Sequence, residues 1–223
     1  MSPDTALAAS LAHSYPKKRA IWTVIEILER IASFLALIVL SPLLALVAVA
    51  IVTLSRRSPL VAHLRVGQFG TPLWTLKFRT MWPAPKPGLP SATLVEYIVD
   101  ESGMDYKSTF DPRVTSAFAR FCRRSSIDEL PQLINVARGE MSLVAPRPLT
   151  EGELKKHYGF DAPAILVEKP GITGLWQVRG RSRLTYEERR RMDLYLVRNR
   201  SLKLYFTILL RTMLVVWKGE DGW

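Results

Sequence analysis

The run from Ser125 to Pro148, SSIDELPQLINVARGEMSLVAPRP, contains the residues best suited to chemistry. Two adjacent carboxylates, Asp128 and Glu129, stand near its start. Charged groups are rarely buried without partners, so an acidic pair among cations is poorly suited to building a core. Carboxylates can hold a divalent cation or attack phosphorus, and arginine binds phosphate oxygens. The run therefore suits chemistry on a phosphate, with the surrounding cations Arg123, Arg124, Arg138 and Arg147.

A structural explanation competes with this chemical one. Ser126 and Glu129 have the S-x-x-E spacing of a capping box, in which serine and glutamate close the start of a helix. That reading leaves Asp128 without a role beyond a favourable interaction with the helix dipole. In both cases the carboxylates stand at a helix start, where neighbouring side chains point about 100° apart. We therefore expect Asp128 and Glu129 to have different functions.

Further cations stand at positions suited to phosphate binding. Arg147 lies between Pro146 and Pro148, which restrict the backbone and so limit where the guanidinium can reach. A solvated arginine in a rigid loop is the alternative. Lys77 and Arg79 alternate with apolar residues in a predicted strand and are expected to share one face. A solvated strand face is the more ordinary explanation of that pair.

The charge balance implies an anionic partner. The chain has 31 Lys+Arg against 20 Asp+Glu, a net charge of +11. Phosphorylated substrates, anionic lipid and nucleic acid are the three candidates. The basic region 179–203 lacks the interleaved aromatics of a base-stacking platform, so nucleic acid ranks last. A lone cysteine, Cys122, excludes an internal disulfide and a cysteine zinc cluster. Any metal should be a hard, oxygen-liganded ion such as magnesium.

The stretch from Ile31 to Leu54 has no charged residue. As a helix it reaches roughly 36 Å, against a hydrocarbon core of about 30 Å, which predicts a retained membrane segment. Ser41-Pro42 near its middle should kink the helix. Both flanks are basic, so the positive-inside rule gives no orientation. A helix-break-helix that returns to the same side and a spanning helix with a tolerated proline both remain open.

These segments predict an α+β, mostly helical fold. The predicted units are a leader (1–19), a membrane segment (20–57) and a compact catalytic part (58–223). Within the last unit we predict a strand at 73–79, an irregular proline-rich segment at 82–110, two helices in 114–139 separated near Ser125-Ser126, a glycine-punctuated loop and short strand at 170–181, and helices at 184–198 and 202–217. The last helix lies in the membrane interface or is a buried terminal helix.

Six motifs in order carry a resemblance to a known family. From about residue 18 to the C-terminus the chain resembles the bacterial sugar transferases, monotopic phosphoglycosyl transferases that use polyprenol phosphate. One short motif would be weak, but six in order are highly specific. The motifs are Lys77-Phe78-Arg79-Thr80-Met81, Asp111-Pro112-Arg113-Val114-Thr115, Ser126–Gln132, Arg138-Gly139-Glu140-Met141-Ser142, Pro146-Arg147-Pro148 and Pro170–Arg181.

The resemblance implies a reaction. A nucleotide diphosphate sugar, expected to be a UDP-sugar, gives its sugar-1-phosphate to polyprenol (undecaprenyl) phosphate, in the first membrane step of polysaccharide or glycoconjugate assembly. The products are a polyprenyl diphosphate sugar and UMP. Asp128 would be the nucleophile of a covalent phospho-sugar intermediate. Glu129 would position or deprotonate the acceptor and share Mg²⁺ with Asp128. The implied phosphate or nucleotide contacts are Lys77, Arg79, Arg113, Arg123, Arg147, Gln177 and Arg181.

The resemblance also implies a location. The family's re-entrant membrane helix is broken at a Ser-Pro pair, which corresponds here to Ser41-Pro42. The catalytic part would then lie on the cytoplasmic face of the bacterial inner membrane, in contact with anionic lipid. A homodimer formed through the membrane segments remains open.

Some features depart from the family or leave alternatives. Ala145 stands where the family usually has glycine, and residues 82–110 have no assigned role. A non-catalytic membrane-anchored scaffold for polysaccharide assembly is the second hypothesis, although the Asp-Glu pair and Arg147 that it could lose are intact. A membrane-tethered nucleic-acid binder is the third. No motif names the sugar or the glycan pathway.

Overall fold

The computed structural model describes residues 20–82, 93–99, 114, 116–180 and 183–218. The predicted leader and the predicted site residues Arg113 and Arg181 lie outside them. The described part is mostly helical with two small sheets, in agreement with the predicted fold class. Its helices are α1 (Ala20–Ser55), α2 (Ala117–Arg124), α3 (Gln132–Arg138), α4 (Glu151–Glu153), α5 (Ala162–Leu166), α6 (Leu175–Arg179), α7 (Tyr186–Arg198) and α8 (Leu202–Lys218).

Helix α1 is one helix of 36 residues that continues through Pro42. Among the described helices it alone is long and apolar enough to cross a membrane. A proline removes the hydrogen bond to the carbonyl four residues earlier, which here belongs to Ile38. The Ser41 hydroxyl donates to that carbonyl oxygen at 2.8 Å. The Ser41 hydroxyl therefore satisfies the carbonyl that Pro42 leaves open, and the helix is continuous at the position where a helix-break-helix was one of the predicted arrangements.

The two ends of α1 pack against the rest of the protein, and its middle does not. Trp22 and Ile25 join a core with residues of α7 and α8, and Val47 and Ile51 join a second core with residues of β2 and α2. Between the two ends, large apolar side chains such as Val39 are exposed. Both ends therefore rest on the same folded body.

The larger sheet has three strands in the order β2-β1-β3. They are β1 (Leu60–Val66), β2 (Pro72–Phe78) and β3 (Val95–Ile98), with β1 antiparallel to β2 and parallel to β3. Strand β2 confirms the strand predicted at 73–79. Strand β3 shows that the prediction of an irregular segment at 82–110 is wrong for Val95–Ile98. Its valine, tyrosine and isoleucine favour a strand, but four residues near several prolines give a weak signal.

The smaller sheet pairs β4 (Ser142–Val144) with β5 (Gly171–Thr173) in parallel. A Cβ atom on Gly171 would lie 2.3 Å from the Ala145 backbone nitrogen, so only glycine permits this close approach. Strand β5 confirms the short strand expected within 170–181. Helix α6, which carries Trp176 and Gln177, was not predicted in that range, where the rest was expected to be a loop. Helices α7 and α8 confirm the two helices predicted nearer the C-terminus.

Candidate active site

The acidic pair lies in a 3-10 turn, Ile127–Glu129, between α2 and α3. Two helices separated near Ser125-Ser126 are thus confirmed. The competing capping-box explanation does not hold, because Ser126 has a left-handed backbone (φ 56°) and its side chain makes no capping hydrogen bond. The left-handed residue redirects the chain at the end of α2. The turn that follows buries both carboxylates, leaving Asp128 5% and Glu129 7% exposed.

Glu129 is held by two cations from distant parts of the chain. Its Oε1 atom accepts hydrogen bonds from Lys77 Nζ at 2.7 Å and from Arg147 Nη2 at 3.0 Å. Burial by itself would raise the pKa of this carboxyl, but Arg147 and Lys77 outweigh burial and hold the pKa well below its usual range. Glu129 is therefore a carboxylate at every physiological pH.

Lys77 is positioned by a contact between β2 and α3. The buried Asn135 of α3 accepts from the Leu76 backbone N–H at 3.2 Å and donates to the Trp74 carbonyl at 2.8 Å. Two hydrogen bonds to the backbone just before Lys77 fix the strand against the helix that follows Glu129. Sequence reasoning missed Asn135. An asparagine inside a helix is unfavourable unless its side chain has a partner, which was a usable signal.

The loop that carries Arg147 is fixed on both sides. Before it, the Ala145 N–H donates to the Thr173 carbonyl at 3.0 Å, and the Pro146 carbonyl accepts from the Gly171 N–H at 2.7 Å. After it, the Leu149 carbonyl accepts from the Val66 N–H at 2.8 Å. The guanidinium is mostly buried against Glu129, so Arg147 is not a solvated loop residue.

Asp128 has a different environment from Glu129, as expected. Its Oδ1 atom is buried and has no hydrogen-bond partner among the described residues. Burial raises the pKa of Asp128 to about 6 with help from the Glu129 charge, while Lys77 and Arg123 oppose the rise. Asp128 is thus still mostly ionised at neutral pH and more basic than an ordinary aspartate.

The structure places the other predicted site residues in different surroundings. Arg123, in the last turn of α2, lies close enough to favour the ionised form of Asp128. Gln177 donates to the Ile172 carbonyl at 2.8 Å and lines a crevice beside Glu129. Arg79 follows the last residue of β2 and does not contact Glu129, the partner of Lys77. It donates instead to the Ser58 carbonyl at 2.8 Å and to Glu96 of β3 at 2.7 Å.

The carboxylates present fit a metal that is partly held by substrate. In the part of the chain that the structure describes, no group of three or more His, Cys, Asp or Glu side chains could hold a metal ion. Magnesium usually takes one or two protein carboxylates together with substrate phosphates and water. The Oδ1 atom of Asp128, which has no hydrogen-bond partner among the described residues, fits one such position. Glu129 is less available, since two cations already share its Oε1 atom.

A second buried polar cluster lies close enough to Arg147 for their charges to interact. Asp193 of α7 is fully buried and accepts a hydrogen bond from the Tyr158 hydroxyl at 2.7 Å. The Arg189 guanidinium lies 4.8 Å from the centre of the Trp176 ring. Burial raises the pKa of Asp193 to about 7, while Tyr158, Trp176, Arg189 and Arg147 favour its ionised form. No motif in the sequence analysis pointed to this cluster.

The main features of the described structure are thus a buried carboxylate pair, two converging cations and a long apolar helix. A sequence model described as bacterial sugar transferase matches residues 20–219. The chain therefore belongs to the bacterial sugar transferase family, which confirms the resemblance found in its motifs.

Several curated proteins are similar to this chain. It is 41% identical over 191 residues to a UDP-galactose-lipid carrier transferase of Erwinia amylovora, covering 84% of this chain and 40% of that protein. It is 38% identical over 194 residues to an undecaprenyl-phosphate galactose phosphotransferase of Salmonella typhimurium, covering 86% and 40%. The exopolysaccharide production protein ExoY of Sinorhizobium fredii is 38% identical over 187 residues, covering 81% and 80%. The chain thus spans about two fifths of the first two relatives and most of the third.

Proposed function

We propose that this protein transfers sugar-1-phosphate from a UDP-sugar to polyprenol phosphate, giving a polyprenyl diphosphate sugar and UMP. The observation that carries the proposal is the pair of unlike buried carboxylates. Asp128 has a basic oxygen without a hydrogen-bond partner among the described residues, and Glu129 binds Lys77 and Arg147 beside it. The names of the relatives, which specify UDP-galactose and undecaprenyl phosphate, support the choice of substrates.

The reaction proceeds in two displacements at one phosphorus atom. First, an Asp128 oxygen attacks the sugar-bearing phosphorus of the donor. The bond from that phosphorus to the bridging oxygen breaks, and UMP leaves with the oxygen and its electron pair. Next, a phosphate oxygen of the polyprenol phosphate attacks the same phosphorus and releases the Asp128 carboxylate. The raised pKa of Asp128 suits this role, because a more basic carboxylate that is still ionised at pH 7 is a better nucleophile.

The cations stabilise the charge that develops on the phosphoryl oxygens. Phosphoryl transfer depends mainly on positioning and on charge neutralisation. Lys77 and Arg147 are fixed by β2 and by the loop after β4, so they need little reorganisation to meet a phosphate. Glu129 orients them and positions the acceptor phosphate, whereas its lowered pKa makes it a poor base. The remaining donor contacts in this proposal are Arg113, Arg123 and Arg181. Arg79 and Gln177 are left out of it, because Arg79 is bonded to Ser58 and Glu96 and Gln177 to the Ile172 carbonyl.

Magnesium is part of this proposal. Asp128, and with it Glu129, would hold the ion together with the diphosphate of the donor. When bound, magnesium neutralises negative charge on that diphosphate and makes UMP a better leaving group.

The packing of α1 supports a re-entrant arrangement. A straight helix of 36 residues would extend about 54 Å, well beyond a hydrocarbon core of about 30 Å. Since both ends of α1 rest on one body, the exposed apolar middle is the part that enters the membrane. The catalytic part then lies on the cytoplasmic face of the inner membrane, with its basic surface against anionic lipid. Polysaccharide assembly is the proposed pathway, and pairing of two copies through α1 is compatible with it.

The test is intact-protein mass after incubation with magnesium and a panel of UDP-sugars without acceptor. We expect a gain of one phospho-sugar in the wild type and none in Asp128→Asn. Glu187→Gln, which changes an exposed carboxylate of α7, is the matched control and should form the adduct. UMP release at the wild-type rate by folded Asp128→Asn would overturn the mechanism. The sugar that gives the adduct identifies the donor.

A further inference from the structure

An apolar crevice of about 200 Å³ lies beside the catalytic carboxylates. Its walls come mainly from α3, β5, α6 and α8, and Glu129 is among the residues that line it. The side chains that make it apolar include Leu130, Leu133, Ile172, Val178, Leu209 and Val216. A cavity with such walls binds hydrocarbon more readily than a polar group.

Several of the polar groups on the walls bond to the protein itself. The Thr173 and Thr212 hydroxyls lie 2.8 Å apart in a hydrogen bond across the crevice. The Gln177 amide donates to the Ile172 carbonyl, and the Ser125 hydroxyl donates to the Phe121 carbonyl, each at 2.8 Å. A sugar or a nucleotide would lose hydrogen bonds to water on entering and would recover few from these walls. The donor is therefore a poor occupant.

Helix α8 separates the crevice from a surface suited to lipid. One side of the helix contributes Leu209, Thr212 and Val216 to the crevice. The other side exposes Leu210 and Met213, each by more than half. The crevice is thus lined both by Glu129 and by a helix whose outer side is apolar.

We propose that this crevice binds the hydrocarbon next to the phosphate of the lipid acceptor. The inference rests on the proposed function and adds to it a subsite with named residues. An apolar cavity of about 150 Å³ holds a benzene-sized molecule, so this crevice has room for roughly one or two five-carbon units. The acceptor phosphate then lies beside Glu129, and the rest of the polyprenol continues along α8 into the membrane.

The test fills the crevice and measures each substrate separately. Val216→Trp places a large side chain in the crevice from the last turn of α8, and Leu214→Trp puts the same side chain on the exposed side as a matched control. Full-length protein in lipid nanodiscs is assayed for UMP release. We expect Val216→Trp to raise the acceptor KM about tenfold or more, because excluding a few methylene groups changes affinity by that order. Its donor KM and the acceptor KM of Leu214→Trp should stay near wild type.

A second variant approaches from the opposite wall. Leu133→Phe on α3 enlarges a crevice side chain without touching α8, and it should also raise the acceptor KM selectively. Unchanged acceptor KM in both crevice variants, with the wild type turning over, would overturn the subsite and leave the proposed function intact. A crevice filled by bulk phospholipid would give that result. Absence of UMP release by the wild type with every UDP-sugar would instead overturn the proposed function.

Discussion

The Tyr205 hydroxyl donates a hydrogen bond to Glu29 Oε1 at 2.7 Å, which joins helix α8 to the membrane helix α1. Glu29 also accepts hydrogen bonds from the Ser142 hydroxyl and from the Leu143 N–H at 3.0 Å, and it is only 4% exposed. A single buried carboxylate therefore fastens α1 to both β4 and α8. In the sequence, nothing distinguishes Glu29 from the other charged residues that precede the uncharged stretch.

Replacing Glu29 should destabilise the protein strongly. Glu29→Leu leaves three buried donors without their acceptor, at about 1–3 kcal/mol each, so we expect a loss of at least 3 kcal/mol. Glu26→Leu is the matched control on the same helix. Glu26 pairs with Lys169 at 3.0 Å and is more exposed than Glu29, so its replacement should lower the stability less. Thermal unfolding in one detergent compares them, and equal shifts in Tm would refute the role given to Glu29.

Lys77 and Arg79 should separate into a catalytic and a structural cation. Lys77→Met removes a charge from the carboxylate pair and is expected to lower kcat by about 100-fold or more. Arg79→Met breaks the contacts that join β2 to Ser58 and β3, so Tm should fall while kcat of the remaining folded protein falls much less. UMP release and thermal unfolding, measured on both variants, check the assignment. An equal loss of kcat in both variants would show that Arg79 also contacts the substrate phosphate.

The buried Asp193 should make stability depend on pH. Its folded pKa is raised from 3.8 to about 7, so the folded protein keeps a proton that the unfolded chain has lost. The contribution of this group to stability is therefore full below about pH 4, falls as pH rises towards 7, and is constant above it. The loss is at most about 1.4 kcal/mol per pH unit.

The matched variant for this prediction is Asp193→Asn, which cannot ionise. The Tm of the wild type relative to Asp193→Asn should fall between pH 4 and pH 7 and then level off. A difference in Tm that is independent of pH would show that Asp193 titrates normally.

The close contact between β5 and Ala145 should tolerate no side chain. Gly171→Ala would place a Cβ atom 2.3 Å from one backbone atom and 2.6 Å from another, so β5 must move away from the loop that carries Arg147. Gly70→Ala is a useful comparison, since its Cβ would meet nothing within 4 Å and only its φ of +81° is unfavourable, at about 1–2 kcal/mol. We expect Gly171→Ala to lose more stability and also activity. Equal Tm values in the two variants would contradict this packing argument.

Local patterns predicted much of this molecule correctly. Alternation identified β2, and long periodic segments identified α7 and α8. The short elements were harder, because β3 has four residues and α6 has five, too few for a period to emerge. In so short a segment, the prolines or glycines in the flanking sequence outweigh the pattern.

The sequence predicted which residues form the site, but it did not predict which of them contact each other. Motifs brought Asp128, Glu129, Lys77 and Arg147 together, and the structure joins the last three through one carboxylate oxygen. The capping-box pattern was misleading, because a spacing of three residues does not specify the left-handed backbone found at Ser126. Asn135, Asp193 and Glu29 were missed because their partners are far away in the sequence.

The fastening of α1 also has a consequence for biogenesis. Synthesis runs from the N-terminus, so α1 meets the membrane before most of its docking surface exists. Glu29 must then wait for Ser142 and Tyr205, which follow it by 113 and 176 residues. Contacts so distant form late in folding. An unpaired carboxylate is costly to bury in hydrocarbon, so we expect the start of α1 to stay near water until α8 has been made.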